Sequence, residues 1–422
     1  MSIRTVVAAS TIGTLIEWYD FFAYSSLSPF IAEYFFPKSD PAVAIILTWL
    51  VFATAFVVRP VGAVLFGHLG DRIGRKSTFL ITLIVMGLAT FFMGLIPTYA
   101  QAGIVAPLLL TLLRIVQGIA LGGEYGGAIT YVLEHAPAGR RAFYNGFVAA
   151  TPPLGLGLSS ITVVLSSLLL TKEQFATWGW RMPFLVSIIL TALGVYLRFK
   201  LAESPVFEDI KKRGEVARVP IAEVLGRHLP WVLVGVAVAA GHAVLAYTST
   251  GYIFTYLVQT AKRTPVEANI IVGAAALAQI PLYLLAAWLG DRVGRKAVYM
   301  TGLAIGLATY YPLYYLLPSL DLWLAALAVY VMVGATAFTF GILGTALAEL
   351  FPARVRYSGM SLAFNLGVGL FGGFTPTIVQ LIGTLLKNPL AGLLLYTYVV
   401  AAAALIIAAL ILPETKSKDV AA

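Results

Sequence analysis

No cysteine occurs in the 422 residues of this chain, which excludes a disulfide framework and a thiolate metal site. Charge is scarce too. Asp, Glu, Lys and Arg make up 11% of the chain, against roughly 25% in a soluble domain. There are four histidines, and none is clustered at metal-ligand spacing, so no metal and no cofactor is expected. No Gly-x-x-x-x-Gly-Lys-Ser/Thr loop is present, so an ATP-driven pump is not indicated and soluble enzymology finds no support. Residues 1–10 run into an apolar segment without a small-residue cleavage pattern, and the N-terminus is expected to be retained.

Apolar residues fill the space these absences leave. Hydrophobic types account for 60% of the chain. The net charge of +9 would suggest nucleic acid on a soluble protein. Here the basic residues sit between long apolar runs, so no nucleic-acid partner is expected and topology explains the charge. A helix needs about 20 mainly apolar residues to cross the hydrocarbon core. Twelve such spans can be drawn, at about 5–30, 42–68, 77–97, 104–134, 142–170, 181–201, 229–260, 267–289, 297–317, 320–350, 357–386 and 389–412. Pro152, Pro153 and Pro376 mark expected kinks. With the N-terminus placed inside, twenty Lys and Arg residues fall on the inner side, six on the outer side, and Arg59 and Arg114 within spans. That bias predicts a multi-pass protein of the plasma membrane with both termini cytoplasmic.

The longest hydrophilic stretch follows the sixth span. It divides the chain into a bundle at 1–201, a cytoplasmic linker at 202–228 and a second bundle at 229–422. A repeat supports the division. Gly67-His68-Leu69-Gly70-Asp71-Arg72-Ile73-Gly74-Arg75-Lys76 returns as Leu289-Gly290-Asp291-Arg292-Val293-Gly294-Arg295-Lys296, each time after the second span of its half. The glycines allow a tight turn, and the aspartate can accept from a helix N-terminus in the opposite half. Parallel six-helix halves of this kind are one known transporter plan.

Charges inside spans are expensive and default to functional candidates. Five stand out: Glu17, Asp20, Arg59, Arg114 and Glu124. Glu17 and Asp20 share a helix face. Two buried carboxyls so close repel, so one is expected to hold a proton at neutral pH, as a proton carrier requires; equally, the pair could neutralise Arg59 and Arg114. Arginine stays charged, and its fork suits a carboxylate. Arg114 is therefore a candidate for binding an organic anion or holding the coupling acid. Arg59 is a candidate for the same anion or for a salt bridge. Glu124, among glycines 122, 123, 126 and 127, reads as a second relay or a structural partner of Arg59. His242, Gln279 and Asn365 are polar within spans and could reach a cavity or simply be satisfied in place.

The repeated loop resembles that of the major facilitator superfamily, and the likeness covers essentially the whole chain. Finer motifs narrow it: Glu17-Trp18-Tyr19-Asp20-Phe21, Arg59-Pro60-Val61-Gly62, Arg114-Ile115-Val116-Gln117-Gly118, Gly122-Gly123-Glu124-Tyr125-Gly126, Trp178-Gly179-Trp180-Arg181, and Glu349-Leu350-Phe351-Pro352-Ala353-Arg354-Val355-Arg356. In joint order they resemble the metabolite:proton symporter family of osmolyte and organic-acid permeases. The resemblance implies an all-α membrane protein of twelve helices in two pseudo-symmetric bundles, working as a monomer by alternating access on a small-molecule substrate and protons. It implies gating roles for Asp71, Arg72 and Arg75, with Asp71 engaging the start of span eleven near Arg356. Asp291, Arg292 and Arg295 would mirror them, with Asp291 near residues 141–145. It places the first, fourth, seventh and tenth spans around the cavity, so Tyr247, Thr248 and Tyr252 join Arg59, Arg114 and Asn365 as substrate candidates. The expected function is proton-coupled symport of a small organic anion or zwitterion, with Glu17, Asp20 and Glu124 as coupling candidates. A sugar transporter, suggested by Glu203-Ser204-Pro205 and Pro413-Glu414-Thr415-Lys416, a proton-antiport exporter and a membrane sensor on the same fold are the alternatives.

Overall fold

A computed structural model describes residues 3–36, 40–73, 75–199, 220–352 and 355–418. Among them there is no strand, and the long helices are twelve: α1 Ile3–Ser26, α2 Pro41–Phe66, α3 Arg75–Met93, α4 Val105–His135, α5 Arg141–Leu169, α6 Gly179–Tyr196, α7 Leu229–Gln259, α8 Pro265–Val293, α9 Arg295–Leu316, α10 Leu322–Leu350, α11 Arg356–Leu385 and α12 Leu393–Leu410. Nine are long and apolar enough to cross a membrane unaided by context; α1, α3 and α9 complete two six-helix bundles. The linker expected at 202–228 lies outside the described residues up to 219, and its end, Pro220–Arg227, is a short helix.

Local chemistry starts these helices where the sequence suggests. Asp40 accepts from Ala42 N at 3.0 Å and Val43 N at 3.2 Å ahead of Pro41. Thr264 and Glu267 cap each other's backbone N–H groups ahead of α8. Asp321 accepts from Leu324 N at 2.8 Å ahead of α10. Such caps satisfy the free N–H groups of a first helical turn.

The long helices are not straight. Breaks fall at Val58 ahead of Pro60, at Ala150 ahead of Pro152 and Pro153, and at Gln279 ahead of Pro281. Proline removes an i→i−4 hydrogen bond, so each break leaves carbonyls that neighbours can reach. Three π-helical turns follow, Thr248–Tyr252, Gly367–Gly372 and Leu393–Tyr398, which no residue pattern marks.

Glycines bring α2 and α4 into backbone contact. A Cβ on Gly118 would lie 2.0 Å from the Ala55 carbonyl oxygen, and one on Gly62 2.0 Å from that of Ile119. This approach sets Arg59 of α2 and Arg114 of α4 side by side. Burial separates central helices from peripheral ones: the most apolar stretch of α10 is 78% buried within the protein, that of α12 only 28%.

A candidate central transport site

Arg59 and Arg114 are buried to 1% and 0% exposure. Aromatic rings surround both. The Arg59 guanidinium carbon lies 4.1 Å from the Phe56 ring centre, 4.9 Å from Phe21 and 5.9 Å from Trp18. That of Arg114 lies 4.7 Å from Phe21, 4.6 Å from Tyr24 and 4.9 Å from Phe52. Phe21 thus serves both cations. The rings come from two short spacings on helix faces: Trp18, Phe21 and Tyr24 on α1, and Phe52 and Phe56 on α2.

The polar partners of the two arginines are neutral. Arg114 Nη1 donates to Gln117 Oε1 at 2.7 Å, and Nη2 to the Phe52 carbonyl at 3.4 Å. The Tyr247 hydroxyl from α7 is a hydrogen-bond partner of Arg59. Arg59 Nε and Nη2 and Arg114 Nε bond to nothing, and no carboxylate among the described residues forms an ion pair with either. A cation–π contact contributes about 0.5–2 kcal/mol, whereas taking an ion out of water costs several kcal/mol. Rings alone do not satisfy two guanidinium groups, so the cage has an open demand for an anion.

Asp20 lies on the same turn of α1 as Phe21, fully buried, and neither carboxyl oxygen has a hydrogen-bond partner. Glu17 is buried one turn earlier. Glu124 accepts from the Thr82 hydroxyl of α3 at 3.4 Å.

Beside the cage lies a cavity of about 40 Å³ between the two bundles. Trp18 and Pro153 contribute from one bundle, and His242, Tyr247, Gln279 and Thr336 from the other. Of the substrate candidates, Tyr247 lines it and Arg59 touches it through Tyr247 and Trp18. Three others are turned away. The Thr248 hydroxyl bonds Val244 O and Thr397, Tyr252 donates to Pro389 O, and Asn365 donates to Gly122 O at 3.2 Å and Ser361 O at 2.9 Å. Thr248 and Tyr252 lie in the π-turn Thr248–Tyr252, where the 3.6-residue register is broken, and Thr250 of the same turn lines the cavity. Trp18, Pro152, Pro153, Tyr283 and Phe340 line the cavity but went unread as site residues; the proline pair signalled only a kink.

The bundles also touch on either side of the cavity. At the end bearing the termini, Asp291 of α8 accepts from Ala142 N at 3.1 Å and Phe143 N at 2.8 Å, at the start of α5. Arg295 Nη1 lies 3.1 Å from Asp291 Oδ1, and its Nη2 lies 3.0 Å from Glu349 Oε1. Arg292 is exposed and lies over Trp288, outside this contact. Arg356 pairs with Glu134 across the bundles at 3.4 Å, and Asn145 donates to Thr345 at 3.2 Å. The side chains of Asp71, Arg72 and Arg75 lie outside the described residues. At the opposite end, Trp49 Nε1 donates to Thr255 at 2.8 Å and Asn269 to the Ser26 carbonyl at 3.0 Å. A second cavity of about 300 Å³ lies there, lined by Glu33, Ala44, Thr255 and Gln259.

Known proteins share both sequence and fold. The family described as "Sugar (and other) transporter" matches residues 5–227 and 218–421. An inner membrane metabolite transport protein of Escherichia coli, YhjE, is 37% identical over 98% of this chain and 95% of its own length. The shikimate transporter of the same organism is 34% identical over 89% of this chain and 86% of its own. A putative proline/betaine transporter of Staphylococcus aureus is 34% identical over 92% and 84%. A solved major facilitator superfamily proton:xylose symporter superposes with a TM-score of 0.80 at 18% identity, covering 99% of this chain and 98% of the other.

Proposed function

The chain belongs to the sugar (and other) transporter family of the major facilitator superfamily, and from that premise we propose that it is a proton-coupled symporter of a small organic anion or zwitterion. That it is a multi-pass secondary transporter of metabolites, and not an enzyme, follows from the family. The finer reading rests on one observation: two buried guanidinium groups in an aromatic cage have no carboxylate partner among the described residues, while a buried carboxyl, Asp20, stands on the same turn as Phe21 without a donor among them.

The physical argument has two sides. The cage lacks an anion, and a carboxylate presents oxygens that match the arginine fork. Asp20 lacks a donor, and a buried carboxyl is far cheaper with a proton than with a charge. A substrate anion and a proton entering together leave the centre with neither demand open. Substrate and proton then both favour the state in which the bundles close over them, and the bundles rock about the fixed site. Shikimate, proline and betaine, after which two of the relatives are named, each carry one carboxylate. The charge bias of the loops supports cytoplasmic termini in the plasma membrane. The chain is taken to act as a monomer. Glu17 and Glu124 are kept as further proton carriers, Arg59, Arg114 and Tyr247 as substrate contacts, and the paired Asp-Arg-x-Gly-Arg loops as gates.

The test is uptake into proteoliposomes of labelled carboxylates, betaines and sugars, with and without an inward proton gradient. Gradient-driven uptake of a carboxylate is expected, and Asp20→Asn is expected to abolish accumulation while retaining exchange. Sugar uptake that no carboxylate inhibits, or accumulation by Asp20→Asn equal to the parent, would sink the proposal.

A further inference from the structure

The cavity beside the cage is polar in an ordered way. On the wall from the first bundle stands Trp18, whose Nε1–H is a buried donor without a partner, next to the Arg59 cation. The wall from the second bundle presents acceptors at Thr250 and Thr336, beside the Tyr247 and Tyr283 hydroxyls and the Gln279 amide. The Thr250 hydroxyl donates its proton to Ala246 O at 2.7 Å, and the Thr336 hydroxyl to Val333 O at 2.7 Å. Both oxygens therefore keep only lone pairs, one of which on Thr336 is met by the Tyr283 hydroxyl.

His242 completes this wall. It lines the cavity and stacks on Phe340, with ring centres 4.7 Å apart. Its Nδ1 lies 2.7 Å from Thr339 Oγ1. That hydroxyl already gives its proton to Thr336 O at 3.0 Å. Thr339 Oγ1 can only accept, so Nδ1 carries the hydrogen. In the neutral ring the other nitrogen, Nε2, is then a bare lone pair. Among the described residues Nε2 forms no hydrogen bond, and His242 lines the cavity.

We propose that His242 Nε2 is a substrate-selecting acceptor, and that the transported molecule is a hydroxy- or amino-carboxylate with a free O–H or N–H, as distinct from a fully methylated betaine. The inference rests on the carboxylate reading of the arginine cage. The carboxylate lies on the Trp18 and Tyr247 side, toward Arg59 behind them, and the O–H or N–H meets His242. A ligand with both groups bridges the bundles. A ligand without the donor satisfies one wall and leaves Nε2 unpaired in a desolvated site, which lowers affinity roughly 10- to 100-fold.

The experiment uses the purified full chain and matched sets of ligands, with calorimetry as the binding readout. The sets are 3-hydroxybutyrate against butyrate, shikimate against cyclohexene carboxylate, and proline against N,N-dimethylproline, each with its primary amide. The parent is expected to favour the donor-bearing member roughly 10- to 100-fold. In His242→Phe and His242→Met that ratio should fall to near one, and in His242→Gln, which keeps an acceptor, most of it should survive. Thr339→Val frees Nδ1 and should give a ratio between the two. Either apolar variant suffices, provided its thermal midpoint shows a folded protein. A flat ratio in the parent, or a full ratio in a folded His242→Phe or His242→Met, overturns the inference while leaving the carboxylate reading in place. Amides that bind as well as their acids overturn the carboxylate reading itself, whatever the ratio.

Discussion

Asp291→Asn probes the contact between bundles at the terminal end. Both carboxylate oxygens of Asp291 accept from backbone N–H groups, Ala142 at 3.1 Å and Phe143 at 2.8 Å, where the α5 dipole is positive. Asparagine has one oxygen, so one of those amides is left facing an NH2 group, and the charge is lost. A carboxylate at a partly buried helix start contributes up to about 2 kcal/mol, and a hydrogen bond to a charged group about 1.5–3 kcal/mol. The two overlap, which puts the loss at roughly 2–3 kcal/mol. Arg295 keeps Glu349 at 3.0 Å, so no buried cation is orphaned. At 1.36 kcal/mol per factor of ten, the population open at the terminal end should rise roughly 30- to 160-fold.

The chain has no cysteine, so single introduced cysteines report cleanly on opening. Ser361 is 4% exposed and packs against Gly126 of the opposite bundle. Ala44 is 5% exposed and lines the cavity at the other end. With Asp291→Asn, maleimide labelling of Ser361→Cys should speed up by that factor and labelling of Ala44→Cys should slow. An unchanged rate at Ser361→Cys refutes the reasoning. So does acceleration at both reporters, because that is loosening and not a shift between states.

Three further substitutions test other contacts. Glu349→Gln leaves Arg295, whose side chain is 2% exposed, one acceptor in place of the two at 3.1 and 3.0 Å and keeps its pair with Asp291 at 3.1 Å; a loss of about 1.5–3 kcal/mol is expected, seen as a lower thermal midpoint in detergent. Gly118→Ala drives a methyl to within 2.0 Å of the Ala55 carbonyl, costing about 1–3 kcal/mol by overpacking and weakening substrate binding as α2 and α4 move apart. Trp49→Phe removes the 2.8 Å bond to Thr255, about 1 kcal/mol, and should accelerate labelling at Ala44→Cys roughly fivefold.

Helix number and order were legible because twenty apolar residues in a row have few other uses. The intramembrane charges were legible for the same reason: a charge inside a span is conspicuous. What those charges touch was hidden. Arg59 could be read as a partner for a carboxylate, yet rings cage it, and the spacing of Phe52 and Phe56 carries that information only once α2 is known to pack on α1. Thr248, Tyr252 and Asn365 were placed on the right helices with the wrong facing. Register inside a regular helix is predictable at 3.6 residues per turn, but a π-turn at Thr248–Tyr252 and another at Gly367–Gly372 break that count. Such turns have no strong composition of their own.

On the proposed reading, the aromatic cage also accounts for two arginines that have no carboxylate partner among the described residues. A guanidinium already paired with a protein carboxylate would force any anionic substrate to displace that partner, and the displaced carboxylate would be left buried and alone. Each transport cycle would then break and remake a desolvated ion pair at about 3–5 kcal/mol. Rings at 4.1 to 5.9 Å lower the cost of holding the empty cation without competing for the same geometry, because they meet the guanidinium face and leave its edge N–H groups free. Arg59 Nε and Nη2 and Arg114 Nε are free in this way. On the proposed reading, such a centre takes its anion without displacing a partner and releases it without remaking an ion pair.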